Sequence, residues 1–553
     1  MTDLKARAEA WLADDPDPAT RDELRTLVEK LPDSEPELAD RFAGPLTFGT
    51  AGLRGPLRAG PNGMNQAVVR AAAAGLVRWL DAQDAVGPIV IGFDARHGSR
   101  GFAEETARVA AGTGRRALLL PRPLPTPVLA YAVRALDAVA GVMVTASHNP
   151  PQDNGYKVYL GSGLGGRYGD GAQIVPPVDA EISAAIASVG PLADVPLGEV
   201  HVDEVLGQAV VDNYLRGAVS VLEPGGPREL KVAYTALHGV GNSVVLDAFK
   251  RAGFVRPVSV PEQADPDPEF STVSFPNPEE PGVMDLVIAL ADADNADLAV
   301  ANDPDADRCA VAIRDWTGAT AVGWRILRGD EVGVLLADHL IRRGVTGQYA
   351  TTIVSSSLLR ALCAARGMPY GETLTGFKWI VRAGALVYGY EEAIGYCVAP
   401  DHVRDKDGIT AALLICELAA ALKAEGRGLD DRLDELAREF GLYATDQLSV
   451  RVDDLALIGK MTARLRATPP ATLLGDPVTE VADLLPETDA VRLATAKARI
   501  VVRPSGTEPK LKAYLEVVEQ VPGGGDVAAA RHRAAEALTA LRTETATALG
   551  APT

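Results

Sequence analysis

Short apolar runs alternate with stretches of helical period along most of the chain. Pro88-Ile-Val-Ile-Gly-Phe93 is an unbroken apolar run, the pattern of a strand buried on both faces. Residues 103–111 carry a helical period before a second strand-like run, Arg116-Ala-Leu-Leu-Leu120. The succession returns as Leu230-Lys-Val-Ala-Tyr234, a helix over 244–252 and Val255-Arg-Pro-Val-Ser-Val260. A third round runs from Glu331 through Tyr349-Ala-Thr-Thr-Ile-Val354 to Val387-Tyr-Gly-Tyr390. Recurrence of this kind predicts βα units of mostly parallel sheet, three times over. Toward the end the pattern changes: Gln447-Leu-Ser-Val-Arg-Val452, the run 498–502 and Lys512-Ala-Tyr-Leu-Glu-Val517 interleave with two helices. The expected architecture is α/β: three consecutive mixed or parallel-sheet α/β domains plus a smaller C-terminal α+β domain, around a central cleft. The expected boundaries are 1–217, 218–325, 326–446 and 447–553. Acidic amphipathic helices, interrupted by Asp14-Asp-Pro-Asp-Pro18, form a cap on the first domain.

Composition narrows the partners. The 553 residues are 47% hydrophobic and 23% charged, an ordinary globular balance, and the length requires several cores. A net charge of −20 argues against nucleic acid and anionic membrane as partners. An anionic substrate would be repelled by the average surface, so any such site must concentrate positive charge locally. Cys309, Cys363, Cys397 and Cys416 lack metal-type spacing and sit among apolar neighbours, as expected for buried, reduced thiols. No signal-peptide core or membrane-length apolar run is present, and a cytoplasmic location is expected.

Four segments carry candidate chemistry. The run Ala138-Val-Ala-Gly-Val-Met-Val144 ends in Thr145-Ala-Ser-His-Asn-Pro-Pro-Gln-Asp-Asn-Gly155, placing a serine hydroxyl where a strand opens into a loop. Such turns are where α/β enzymes place reactive groups, although small polar loops also simply leave sheets. After a second apolar run comes Asn302-Asp-Pro-Asp-Ala-Asp-Arg308. Carboxylates at i, i+2 and i+4 repel one another unless a cation lies between them, and hard oxygen ligands suit Mg²⁺. A calcium loop of the EF-hand type does not fit, because Arg308 stands at the turn-glycine position and Arg314 at the bidentate-glutamate position. An aspartyl-phosphate D-x-D site normally has a hydroxyl residue at the fifth position, here Asp307. The third segment spans Thr375-Gly-Phe-Lys-Trp379, Gly389-Tyr-Glu-Glu-Ala-Ile-Gly395 and Asp401-His-Val-Arg-Asp-Lys-Asp-Gly408. Adjacent glutamates suit vicinal sugar hydroxyls, and Lys378, Arg404 and Lys406 supply cations, which would also serve a surface salt-bridge cluster. The fourth, Arg503-Pro-Ser-Gly-Thr-Glu-Pro-Lys510, offers an arginine, two hydroxyls and a free backbone N–H for a phosphate, or a plain turn.

Taken in series with Phe48-Gly-Thr-Ala-Gly-Leu-Arg-Gly55, these segments resemble the motifs of the α-D-phosphohexomutase superfamily, the phosphoglucomutases and phosphomannomutases. The wording is nearest to the branch of phosphopentomutase-like phosphoglucomutases, which shares Glu391-Glu-Ala-Ile-Gly-Tyr396. The resemblance implies that Ser147 carries the phosphoryl group, with His148 beside it. It implies Mg²⁺ on Asp303, Asp305 and Asp307, completed by the phosphoryl oxygen of Ser147, with Arg308 adjacent. Arg54 and Lys157 match basic residues flanking the reacting phosphate, and Glu391 and Glu392 the sugar-binding pair. Arg503, Ser505, Gly506 and Thr507 match the loop holding the non-reacting phosphate. One position departs: Ala393 stands where many hexomutases of this superfamily have a serine, removing a possible sugar contact.

The implied reaction is a mutase relay. Phosphorylated Ser147 donates to the free hydroxyl of a sugar monophosphate, the resulting bisphosphate turns over, and the opposite phosphate returns to Ser147. Glucose 1-phosphate and glucose 6-phosphate are the first expected pair. Phosphopentomutase and phosphomannomutase are the alternatives within the class, with a phosphatase or an inactive sugar-phosphate binding protein outside it. Lys157 is the first choice of base, through a pKa depressed by a nearby Mg²⁺ and arginines, with His148 and Lys406 as alternatives. A sugar bisphosphate such as glucose 1,6-bisphosphate is the expected activator, and the chain is expected to act as a monomer or homodimer on a phosphorylated monosaccharide.

Overall fold

A computed structural model describes residues 2–49, 52–200, 205–315, 322–452, 454, 456–505, 510–522 and 525–551. The chain forms two compact units. One comprises residues 1–327, 377–385 and 394–420; the other comprises 328–376, 386–393 and 421–553.

The first unit begins with helices Thr2–Asp14, Pro18–Glu29 and Glu35–Arg41, which bury Ala8, Leu24, Leu27, Leu38 and Phe42 around Ala59. The acidic, proline-rich interruption is a helix boundary. Asp17 accepts the Ala19 N–H at 2.9 Å, and Pro18 occupies the first helical position, where its missing N–H costs nothing. Asp14 then accepts the Leu192 N–H at 2.8 Å, fastening the cap to the domain behind it.

Behind the cap, Ile89–Phe93 runs parallel to Ala117–Leu119 and to Ala140–Val144, and every residue of these three strands is buried. Asp153–Leu160 pairs antiparallel with Ala140–Val144, and Leu53–Pro56 antiparallel with Asp153–Leu160. A second sheet repeats the scheme: Val232–Thr235 and Leu298–Ala301 are parallel, and Ala310–Arg314 returns antiparallel. Both sheets are therefore mixed, as the expected mixed or parallel-sheet α/β architecture allows. The reason lies in the loops: 145–152 and 302–309 are too short for the dozen or so residues of a parallel crossover, so the chain must turn straight back. These two hairpin-like loops carry the serine and the acidic triad. The predicted strand 255–260 shrinks to Val258–Ser259, since Pro257 has no N–H to give a ladder.

In the second unit Tyr370–Thr373, Gln348–Thr352 and Leu386–Glu391 form parallel pairs. A separate antiparallel sheet has the order Leu442–Arg451, Lys510–Glu519, Ala498–Pro504, Val491–Ala494 and Glu480–Asp483. Side chains alternate across it. Ile500, Val502, Leu511, Ala513 and Leu515 share a core with Ile458, Met461, Leu465, Leu538 and Leu541 of the two helices, while Val501 and Tyr514 face Ile353 and Val354. Full burial of each large aliphatic side chain contributes about 1.5–3 kcal/mol, so the alternation fixes the register of the strand that ends in Arg503 and Pro504. All four cysteines are buried and unpaired. No described helix is long and apolar enough to cross a membrane.

Candidate active site

Ser147 lies three residues beyond Val144 and has φ of +52°, the left-handed region that a serine seldom occupies. The turn is held from both sides. Its N–H donates to Thr145 Oγ1 at 2.9 Å, and Arg96 Nη2 donates to the carbonyls of Ser147 at 2.6 Å and Asn149 at 2.5 Å. Arg96 Nη1 reaches the carbonyls of Pro150 at 2.8 Å and Asp153 at 3.2 Å, so one guanidinium gathers the whole loop. Asp94 pairs with Arg96 at 3.4 Å, and Phe270 covers its face at 4.8 Å. Arg54 Nη1 donates to Asn149 Oδ1 at 2.7 Å. Burial, with Arg96 and Arg308 nearby, lowers the Arg54 pKa to about 10, leaving it cationic at neutral pH.

The hydroxyl so presented donates to Asp303 Oδ2 at 2.7 Å and lies 3.2 Å from His148 Nδ1. Burial, and then Arg308 and Arg54, push the His148 pKa well below the usual imidazole value. Its ring packs near Phe275, 6.0 Å between centroids. A neutral imidazole can take or return a proton at Ser147 Oγ.

Asp303, Asp305 and Asp307 are fully buried, each offering an oxygen within 4.8 Å of the others. Ala306 between them has φ of +53°, which lets the short loop aim successive carboxylates to one side. Burial and the two neighbouring aspartates raise the Asp303 pKa well above the carboxylate range. Burial acts in the same direction on Asp305, but Lys157 and Thr126 hold it below that range. Thr126 Oγ1 donates to Asp305 Oδ2 at 2.6 Å, and the Thr126 N–H donates to its carbonyl at 2.9 Å. Asp305 Oδ1 and Asp307 Oδ1 are buried and accept no hydrogen bond. Buried carboxylate oxygens of this kind cost free energy unless a cation compensates them, so the donor set fits a hard divalent ion.

Lys157, on the strand Asp153–Leu160, donates to Asp305 Oδ2 at 2.8 Å and Asp307 Oδ2 at 3.1 Å. Desolvation acts to lower its pKa, but the two carboxylates outweigh it and the net shift is upward. Its nearest partners are carboxylates, whereas the expected depression rests on a bound Mg²⁺ together with arginines. Lys406 Nζ reaches Asp307 Oδ2 at 3.2 Å. Its neighbours fasten the segment: Asp405 accepts Tyr159 Oη at 2.7 Å and Gln173 Nε2 at 2.8 Å, and Asp407 accepts Tyr214 Oη at 2.9 Å. Gly408 closes the contact. A Cβ there would lie 2.2 Å from the Arg308 carbonyl, so only glycine lets the two loops approach.

Ser147, His148, Arg54, Lys157, Lys406 and the three aspartates are thus brought together in the first unit. Arg404 and Lys378 belong to the same unit. Arg404 Nη1 donates to the Arg167 carbonyl at 3.1 Å, and the Lys378 carbonyl accepts from Arg382 at 2.6 Å. Burial lowers the Lys378 pKa. In the second unit, Glu391 ends a parallel strand and Glu392 Oε2 accepts Ser355 Oγ at 2.8 Å and Thr352 Oγ1 at 3.2 Å. Arg503 lies near the end of the strand Ala498–Pro504, and the Ser505 N–H donates to the Lys510 carbonyl at 2.8 Å. Gly506 and Thr507 lie outside the described residues.

Sequence reasoning overlooked Arg96, Thr126, Asp405 and Asp407. Arg96 had a signal, the polar stretch Asp94-Ala-Arg96 directly after the apolar run ending at Phe93. Thr126 had none.

Comparison with known proteins places this geometry. The chain matches, in series, the phosphoglucomutase/phosphomannomutase alpha/beta/alpha domain I over residues 45–190, domain II over 212–318, domain III over 328–440 and the C-terminal domain over 449–525. It is 45% identical over 474 residues to a Haemophilus influenzae protein named "Probable phosphomannomutase", covering 84% of this chain and 95% of that protein. A human phosphopentomutase is 35% identical over 585 residues, covering 93% of this chain and 91% of that one. A Staphylococcus aureus phosphoglucomutase is 32% identical over 529 residues, covering 90% and 93%.

Proposed function

Since the chain belongs to the phosphoglucomutase/phosphomannomutase family and is a phosphohexomutase-type isomerase, we propose that it interconverts glucose 1-phosphate and glucose 6-phosphate through phosphorylated Ser147. The observation that carries the phosphoserine chemistry of this reading is the 2.7 Å hydrogen bond from Ser147 Oγ to Asp303, which unites the proposed nucleophile and the acidic triad. In the proposed cycle the Oγ–P bond of phosphoserine breaks as a bond forms from phosphorus to the free sugar hydroxyl, giving a bisphosphate. The bisphosphate reorients, its other phosphoryl group returns to Ser147, and the isomeric monophosphate leaves. Asp303, Asp305 and Asp307 would hold Mg²⁺, which supplies charge neutralisation at the transferring phosphoryl group.

His148 is assigned to the serine proton. In-line transfer puts the attacking and departing oxygens on opposite sides of phosphorus, and His148 Nδ1 lies 3.2 Å from the serine oxygen. Lys157, whose Nζ lies 2.8 Å from Asp305 Oδ2 and 3.1 Å from Asp307 Oδ2, is assigned, in its neutral form, to accept the proton of the attacking sugar hydroxyl, with His148 and Lys406 as alternatives. Arg54 and Lys406 add positive charge beside the phosphoryl group. Glu391 and Glu392, with Lys378 and Arg404, are assigned to the sugar. Arg503, Ser505, Gly506 and Thr507 are assigned to the second phosphate. Boundaries after residues 217, 325 and 446 are kept as the proposed domain division, and a sugar bisphosphate as the proposed activator.

A second reading, phosphopentomutase, is favoured by the human relative and by Ala393, which has no hydroxyl for a hexose contact. Parallel measurement of kcat/KM on glucose 1-phosphate, mannose 1-phosphate and ribose 1-phosphate, primed with glucose 1,6-bisphosphate, separates the readings. Glucose 1-phosphate is expected to lead. A clear lead for the pentose or for mannose transfers the assignment to that sugar, and accumulation of inorganic phosphate without isomer makes the enzyme a phosphatase.

A further inference from the structure

Three consecutive serines in the second unit each make a different tie. Ser355 Oγ donates to Glu392 Oε2 at 2.8 Å, and its carbonyl accepts from Arg499 Nη2. The Ser356 N–H donates to Asp330 Oδ1 at 2.7 Å. The Ser357 N–H and Oγ donate to the two carboxylate oxygens of Glu516, at 2.7 and 2.6 Å. Arg499 Nε and Glu516 Oε1 pair in turn at 3.4 Å, closing a ring. Ser355, Ser356 and Glu516 are buried, so these bonds are shielded from water.

The placement of the partners gives the ring a direction. Arg499 sits on the strand Ala498–Pro504, which carries Arg503, and Glu516 faces it across the Arg499↔Glu516 pair of the adjoining strand Lys510–Glu519. Glu392 follows the parallel strand Leu386–Glu391 of the other sheet. The serine loop is therefore hydrogen-bonded at one end to the sheet assigned to phosphate and at the other to a carboxylate assigned to sugar. Buried hydrogen-bonded groups have few alternative arrangements, so a shift of the sheet must be passed to Ser355 Oγ or leave a polar atom unpaired.

We propose that the loop Ser355-Ser356-Ser357, closed by Arg499 and Glu516, is a positioning relay that sets the carboxylate of Glu392 according to the seat of the Arg503-bearing sheet. It couples grip on the phosphate to grip on the sugar. The residues of the ring are positioning residues, and their role rests on the assignment of Glu392 to the sugar. The two sheets also remain joined by Arg492 to Glu372 at 2.9 Å and by the packing of Val501 and Tyr514 on Ile353 and Val354. Loss of Glu516 alone therefore perturbs the relay without separating the sheets.

A double-mutant cycle in the full-length enzyme tests this, with kcat/KM on the best sugar 1-phosphate as readout and melting temperature as a check on folding. Glu516→Gln is expected to lower kcat/KM by ~10-fold in the wild-type background and by less than ~2-fold once Glu392→Gln is present, the coupling of residues in one network. Ser357→Ala, run through the same cycle, should show the same non-additivity in smaller measure and serves if Glu516→Gln does not fold. Equal losses in both backgrounds overturn the relay and leave the sugar assignment intact. A Glu392→Gln enzyme with unchanged kcat/KM overturns the sugar assignment, and the relay with it.

Discussion

The hydroxyl of Ser147 and the carboxylate of Asp303, 156 residues apart in sequence, meet at 2.7 Å in a buried setting. That contact joins the serine proposed to carry the phosphoryl group to the acidic triad proposed to hold Mg²⁺. Replacing Ser147 with alanine should lower kcat/KM by roughly a thousandfold or more, at least ~4 kcal/mol of transition-state stabilisation. Intact-mass measurement on the same variant should show no phosphoryl adduct, whereas the wild-type enzyme exposed to glucose 1,6-bisphosphate should acquire one.

The oxygens of Asp305 and Asp307 that accept no hydrogen bond make a prediction about metal. Chelation should abolish mutase activity and Mg²⁺ should restore it. Thermal unfolding should also shift upward with Mg²⁺, by an amount equivalent to about 2.7 kcal/mol at a hundred times the Kd. Asp305→Asn should weaken that Mg²⁺-dependent shift, and a melting temperature indifferent to Mg²⁺ would remove the ion from the triad.

Arg96 holds four carbonyls of the serine loop without touching the serine side chain. Lysine at this position keeps the charge beside Asp94 but has no planar fork with which to span them. Arg96→Lys should reduce kcat by more than tenfold with a smaller change in KM, because the strained φ of Ser147 loses its restraint. Steady-state kinetics with unaltered kcat would assign Arg96 to stability alone.

Asp330 provides a pH test remote from the metal ligands. Burial, and to a lesser extent Glu392 and Glu516, raises its pKa to about 7, against the hydrogen bond from the Ser356 N–H. The folded pKa lies above the unfolded one, so the unfolded chain releases its proton first. The Asp330 contribution is therefore fully favourable below about pH 4 and is lost as pH rises toward 7. The amide introduced by Asp330→Asn cannot ionise. Compared with that variant, the wild-type protein should lose a few kcal/mol of stability between about pH 4 and pH 7, measured by denaturant unfolding. Parallel curves for the two proteins would refute the shift.

What the sequence determined by itself was local. Apolar runs marked the buried strands, and the polar stretches after Val144, Ala301 and Tyr390 marked the loops, because burial on both faces leaves a continuous hydrophobic signal that ends abruptly. Motif order carried the family. The helix break at Asp17 and Pro18 was equally plain, since capping chemistry is confined to a few neighbouring residues. Tertiary structure decided which partners those loops found. Lys157 was legible only as a basic residue near the reacting phosphate, and folding set it on Asp305 and Asp307, whose carboxylates act to raise its pKa. Thr126 gained its place by meeting Asp305 across 179 residues, a contact that no local pattern encodes. Periodicity records which side of an element is dry. It does not record which distant group shares the dry space, and in a buried site that neighbour sets charge and proton affinity.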